Sequence, residues 1–267
     1  MKFWTRLKQP KPQSPGSPPS HCCICKEVLD GAIFIDEWNN GAHRSHDLYF
    51  CSSCHRILSP YGSAGAFRYS DGRRICGYCK KIAVTDGVQA NRGRRKVLAR
   101  LEAVGFQGIP KNIEIVLSHP STLAAHSRKA NTSGLTLSHF HFTDHKRVGI
   151  THQVGILFGL PQVEFEAVMA HEFLHVWQQQ NDVKFSPLYS EGLCELGGLL
   201  IYSQEDSDLA RHLLQKMQQN PDPVYGNGFR LMAKKLECLG WDGLIREILV
   251  HKRGFEAGLL KKIFGGL

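Results

Sequence analysis

No run of apolar residues in this chain approaches the ~18 that a bilayer-spanning helix needs, so nothing in the sequence reads as a membrane span. The first twenty residues, MKFWTRLKQPKPQSPGSPPS, begin with basic groups but have no apolar segment behind them and no acid. They read as a disordered, basic, Pro-rich tail over 1–20 rather than a secretory leader. No internal repeat stands out, and no Gly-rich phosphate loop, which leaves repeat architectures and nucleotide-binding loops without support. Acid is the scarcer charge: 24 Asp and Glu face 33 Lys and Arg, a formal balance of +9. The surplus is local, +4 in residues 1–20 and +5 in 83–130, whereas 131–204 carries seven acids against three bases and is −4. A basic balance raises nucleic acid as a partner, but no helix presents the base-reading residues of DNA-binding fingers. A reducing, cytoplasmic setting is the expectation.

What the chain has is cysteine and histidine in one place. Of nine cysteines, seven fall between Cys22 and Cys79. They are arranged as Cys22-x2-Cys25-x17-His43-x2-His46, then four residues, then Cys51-x2-Cys54-x21-Cys76-x2-Cys79. Each half offers four ligands of the kind tetrahedral structural Zn²⁺ takes, and each Cys-x2-Cys turn brings two thiolates to one ion. Cys22 is chosen over Cys23 because it gives the x2 spacing. The loops between are short β-like pieces, AIFIDEW (32–38) and AFRYSDGRRIC (66–76), with Asp71-Gly72 as a hairpin-turn signal. Such pieces are too small to hold themselves, so metal would supply much of their folding free energy. The spacing resembles a LIM domain over 21–82, a double zinc finger that mostly binds proteins; His46 stands where most LIM domains carry Cys, and the spacer of four replaces the usual two.

The remainder, 83–267, reads as α+β. NRGRRKVLARLEAVGF (91–106) has the pattern of a basic amphipathic helix, with Arg92, Arg94, Arg95 and Lys96 on a solvated face. IEIVLS (113–118) reads as a strand. RVGITHQVGIL (147–157) sets Val148, Ile150, Val154 and Ile156 on alternate positions, a strand period. His139-Phe140-His141 reads as a polar strand face. Pro161 then opens QVEFEAVMAHEFLHVWQQQ as a helix, and 186–203 and 209–219 read as two more.

Within the first of these helices stands His171-Glu172-Phe173-Leu174-His175. On a helix, positions i and i+4 share a face, so both imidazoles can hold one ion with Glu172 beside it as general base. The surrounding apolar residues bury this helix, and buried imidazoles need partners. A third ligand is at hand in Ser190-Glu191-Gly192-Leu193-Cys194-Glu195: Glu191 follows His175 after a turn and a return helix. Glu195, one helical turn on, faces the same site and can accept a hydrogen bond from a ligand imidazole, the alternative being a surface carboxylate. Two His and one Glu leave an open position on Zn²⁺ for water, the arrangement of hydrolytic zinc sites. The developing oxyanion needs a donor; Tyr225, in the glycine-flanked run PVYGNGFR (223–230), is a candidate, with a helix-start or packing role as the alternative. Cys194 reads as a small core residue.

The glutamate helix resembles that of gluzincin metallopeptidases, where the ligand Glu is followed four positions later by an acid. The LIM spacing together with THQVGILFGLP, AHEFLHVW, SEGLCE and PVYGNGFR resembles the family of LIM peptidases typified by the ubiquitin-activated, organ-size-limiting plant peptidases, over about 21–250. By position, the resemblance implies His171, His175 and Glu191 as zinc ligands and Glu172 as catalytic base. Its plant members carry ubiquitin-interacting helices before the LIM domain, where this sequence has the short Pro-rich tail. The expected protein is a LIM-like double zinc finger followed by a gluzincin-type metallopeptidase domain. It would be an endopeptidase with three Zn²⁺, two structural and one catalytic. The LIM-like part would position substrate or a partner, or cover the cleft. An extended peptide would add to the strand at 147–157. The alternatives are a non-catalytic LIM adaptor on a peptidase-like scaffold, against which the intact Glu172 stands, and a nucleic-acid-binding zinc protein.

Overall fold

A computed structural model describes residues 17–60, 65–127 and 132–250. The tail expected over 1–20 lies outside the described residues as far as residue 16. The chain forms two compact units: one up to Val84 together with Gly159–Gln162, the other made of Thr85–Phe158 and the chain from Val163 onward.

The Cys/His-rich unit is two hairpins of three-residue strands and one short helix. β1 (Ile33–Ile35) pairs antiparallel with β2 (Gly41–His43), and β3 (Ala66–Arg68) with β4 (Arg74–Cys76), which leads into α1 (Gly77–Lys81). The Asp71-Gly72 turn forms as the sequence signals. Gly72 takes a positive φ of 90°, and the Asp71 carboxylate accepts the Arg73 backbone N–H at 3.0 Å. β1 stops short of the run AIFIDEW because buried Asp36 turns the chain back on itself. Its carboxylate accepts the backbone N–H of Trp38 at 2.9 Å, of Asn40 at 2.8 Å and, from the second finger, of Ile57 at 2.8 Å. Beneath lies a small apolar cluster of Cys22, Ala42 and Ile57, flanked by Leu29, Phe34 and Leu48. Residues 159–162 are bonded into this unit: Val84 N–H donates to Leu160 O at 2.8 Å, Gly159 N–H to Val84 O at 2.9 Å, and Gln162 N–H to Ile82 O at 2.8 Å.

The second unit is a three-stranded sheet with helices. α2 (Gly87–Ala103) starts four residues before the expected 91 because Asp86 caps it, accepting Gln89 N–H at 2.8 Å. β5 (Glu114–Ser118), α3 (Pro120–His126), β6 (Gly134–Thr143) and β7 (Lys146–Leu157) follow. The strand order is β5-β7-β6, with β5 parallel and β6 antiparallel to β7. This corrects one expectation. β7, the strand at 147–157, is central and paired on both sides over Gln153–Leu157, so that half has no free edge for a peptide; residues 146–152 pair with β6 alone, and β5 and β6 are the edge strands. The alternation read there also holds only in part, since Val154 and Ile156 are fully buried while Val148 is 64% exposed. His139 and His141 lie on exposed β6, and no metal-binding group among the described residues includes them.

α4 (Gln162–Gln180), α5 (Pro187–Gln204), α6 (Asp208–Gln219) and α7 (Tyr225–Val250, broken at Gly240) complete the unit. α4 is apolar nearly all round: Phe165, Met169, Phe173, Leu174 and Trp177 are all buried. The Phe106 ring meets Trp177 edge to face at 5.0 Å. No helix among the described residues is long and apolar enough to cross a membrane.

His152 on β7 gives the unit a pH dependence. Its Nε2 takes a hydrogen bond from Gln180 Nε2 at 2.9 Å, and its Nδ1 bonds Ser138 Oγ at 2.8 Å. Burial lowers its pKa below the ordinary 6.5. The unfolded chain therefore binds the proton first as pH falls. The stability contribution is complete above 6.5 and is lost as pH drops through the folded-state value. Urea midpoints at pH 7.5 and 5.5 are expected to differ more in the wild type than in His152→Gln; equal differences would remove His152 from the account.

Candidate functional site

Three groups of side chains are close enough to hold an ion: Cys22, Cys25, His43 and His46; Cys51, Cys54, Cys76 and Cys79; and His171, His175 and Cys194. In the first, Cys22 and not Cys23 faces the other three. His43 Nε2 lies 3.0 Å from Val28 O. Donating there frees Nδ1, 3.5 Å from Cys25 Sγ, as the ligand atom. His46 Nε2 is buried with no hydrogen-bond partner among the described residues, a cost a cation would remove. Burial works against the Cys22 thiolate, yet surrounding backbone N–H donors bring its pKa down to about 6. In the second group all four thiols are buried. Cys54 Sγ and Cys76 Sγ are 3.7 Å apart, and the backbone N–H of Cys76 points at Cys51 Sγ at 3.4 Å. Hydrogen bonds from its three neighbours hold Cys51 far below the ordinary thiol range and push Cys79 far above it. Four thiols this close cannot all ionise without a cation among them, so the donor set fits a tetrahedral thiolate-binding metal such as zinc.

The third group is built where α4, α5 and α7 meet. Two glycine contacts allow the approach. A Cβ on Gly197 of α5 would press on the Ala170 backbone of α4, and one on Gly192 would overlap the Gly228 backbone of α7. With the helices this close, His171 Nε2 lies 3.2 Å and His175 Nε2 3.4 Å from the same Glu191 oxygen, Oε2. Ligand atoms around one tetrahedral zinc, at bonds of about 2.0–2.1 Å, stand about 3.3 Å apart. The donor set therefore fits that ion. His171 Nδ1 lies 3.2 Å from Glu195 Oε1, so Glu195 is no surface carboxylate; it fixes the tautomer that leaves Nε2 free. Burial disfavours the charged imidazole, but Glu191 and Glu195 override it and hold the His171 pKa well above 6.5. Burial likewise opposes the Glu191 carboxylate, and the two imidazoles override it, holding Glu191 well below the usual carboxylate range.

Glu172 is buried at 6% exposure, and its Oε2 accepts a hydrogen bond from Thr136 Oγ1 at 2.7 Å. Tyr225 begins α7 rather than sitting in a turn. The Asp222 carboxylate accepts its backbone N–H at 2.8 Å, and its ring stacks on His171 at 6.2 Å and 19°. Tyr225 thus stands at a helix start with its ring packed on His171. Burial, with Glu191, Glu172 and Glu195 near, pushes its phenol well above 10, so it stays a neutral donor. Glu172, His171, Glu195 and Tyr225 line a cavity of about 360 Å³, together with Gly134, Val168, Tyr202 and Met217.

The sequence reading missed Thr136 and Gly134, because their neighbour Glu172 is 36 residues or more away and no spacing rule links them. It also placed Cys194 in the core alone. The thiol is fully buried and takes a hydrogen bond from Gln178 Nε2 at 3.2 Å, yet it lies within 4.8 Å of a ring nitrogen of both His171 and His175.

Comparison with known proteins places this geometry. The family described as DA1-like (Protein DA1) matches residues 99–205, a segment containing His171, Glu172, His175, Glu191 and Glu195. Protein DA1-related 2 of Arabidopsis thaliana is 22% identical over 202 residues, 60% of this chain and 36% of that protein. The chain thus spans little more than a third of the length of this relative. No solved structure matches the chain.

Proposed function

We propose that this chain, a member of the DA1-type family of LIM and peptidase-like proteins, is a zinc-dependent endopeptidase acting on protein substrates. One observation carries the reading: His171 Nε2 and His175 Nε2 lie 3.2 and 3.4 Å from the same Glu191 oxygen, Oε2, and His171 lines one cavity with Glu172. Those three side chains would hold Zn²⁺, which when bound supplies Lewis acidity and a water of lowered pKa. Glu172 would take the proton of the attacking water at a carboxylate oxygen and deliver it to the leaving amine nitrogen. The Tyr225 hydroxyl, kept protonated by its surroundings, would donate to the carbonyl oxygen as it gains charge. Glu195 would keep His171 in the ligating tautomer. The free edge of β6, whose Gly134 borders the cavity, would pair with an extended substrate.

The Cys/His-rich unit would hold the two structural ions and receive a protein partner or part of the substrate. A cytoplasmic location accords with nine free cysteines among the described residues. Zinc content by mass spectrometry under native conditions is the test. The expected count is about three per chain in the wild type and about two in His171→Ala. A wild type holding only the two structural ions would overturn the peptidase reading in favour of a LIM adaptor.

A further inference from the structure

We propose that Thr136, with Gly134 beside it, positions the Glu172 carboxylate for proton transfer; this rests on the peptidase reading above. Thr136 Oγ1 donates to Glu172 Oε2 at 2.7 Å and sits 3.1 Å from the Glu172 backbone carbonyl oxygen. That is the length of a strong hydroxyl–carboxylate bond. The other carboxylate oxygen is defined by an absence. A Cβ added to Gly134 would lie 2.6 Å from Glu172 Oε1 and 2.6 Å from Val168 Cγ1. One strand therefore handles both oxygens, holding Oε2 through a hydroxyl and giving Oε1 its clearance through a missing side chain.

The two residues are neighbours on the same face of β6, i and i+2, in register with Ile156 and Val154 of β7. Pairing to the buried half of β7 makes their placement rigid, whereas a glutamate side chain left alone has three free torsions. β6 is also an edge strand, so a strand open to an extended peptide is the one that sets the base. A valine would pack the same position but would leave the nearly buried Glu172 carboxylate without this hydroxyl.

The test is Thr136→Val, Thr136→Ser and Gly134→Ala in the zinc-loaded full chain, with fluorescently labelled casein as the turnover probe. Misplacing a reacting group costs about 10- to 100-fold. Thr136→Val is expected to lose that much in kcat with KM within about twofold, and Thr136→Ser to recover most of it. Gly134→Ala, with Thr136 intact, is expected to lose kcat in the same range by displacing Oε1. Crystal structures supply a readout that needs no turnover. In Thr136→Val the Glu172 carboxylate is expected to leave its wild-type rotamer, with His171, His175 and Glu191 unmoved. Full kcat with Glu172 in place in Thr136→Val would overturn the proposal, and so would Thr136→Ser as slow as Thr136→Val. If the wild type turns over no substrate the peptidase reading fails instead, and if Glu172→Gln proves fully active the assignment of the base fails; in both cases the Glu172 rotamer in the Thr136 variants still decides whether the hydroxyl positions it. Should Thr136→Val not fold, Thr136→Ser and Gly134→Ala give the same two outcomes.

Discussion

Glu172→Gln is expected to lower peptide-bond turnover by about 10²–10⁴-fold while the zinc content stays at the wild-type value. The substitution keeps the shape of the side chain and removes only its capacity to take a proton. The amide oxygen can still accept the Thr136 hydroxyl, which holds Glu172 Oε2 at 2.7 Å, so the side chain has no reason to leave its place. The proposed metal-holding set of His171, His175 and Glu191 is not altered, since Glu172 touches none of their donor atoms among the described contacts. Loss of turnover with zinc retained separates proton transfer from metal binding. Retained turnover would show that another group is the base. Loss of zinc together with turnover would place Glu172 among the ligands. Labelled casein and a parallel zinc determination on the same preparations provide the check.

Cys54→Ser is expected to unfold the Cys/His-rich unit, the largest effect on stability available in the chain. The unit has strands of three residues and a cluster whose buried members are a cysteine, an alanine and an isoleucine. Apolar burial on that scale amounts to a few kcal/mol, at about 25 cal/mol per Å². A structural zinc site contributes on the order of 10 kcal/mol. Cys54 is 2% exposed, and its backbone carbonyl accepts the Trp38 indole N–H at 2.8 Å. Losing this ligand therefore removes an ion and loosens the tie between the fingers. Limited proteolysis is expected to cut within residues 21–84 while the helices from α4 onward stay protected, with at least one zinc fewer per chain. Because Gly159–Gln162 are bonded within this unit and lead directly into α4, turnover is expected to fall as well. An intact, protease-resistant unit in Cys54→Ser would mean that its apolar contacts suffice.

The readings that needed only short sequence range describe the molecule well. Cys22 rather than Cys23 faces Cys25, His43 and His46, because a two-residue spacer turns both thiols to one side of a tight loop. His171 and His175 share a face of α4, because 3.6 residues per turn put i and i+4 together. Glu191 and Glu195 meet the same imidazole for the same reason on α5. The start of α2 was misjudged although its signal, Asp86 as a cap, is local; the basic run after it drew the boundary inward.

The edge of the sheet could not be read that way. The apolar alternation of β7 identifies a strand but not its neighbours, and pairing with β5 on one side and β6 on the other left those two strands at the edges. Glycines 192, 197 and 228 look like helix breakers in the sequence, and become intelligible only where backbones of α4, α5 and α7 meet with no room for a Cβ.

By itself, then, the sequence determined which cysteine, histidine and glutamate side chains stand together, since repeating backbone geometry converts fixed spacings into shared faces. The tertiary structure alone decided which strands lie open, which ring stacks on His171 and which hydroxyl holds Glu172. Those contacts join residues 36 to 54 positions apart, and only the packing of helices and strands around a common core brings such residues together.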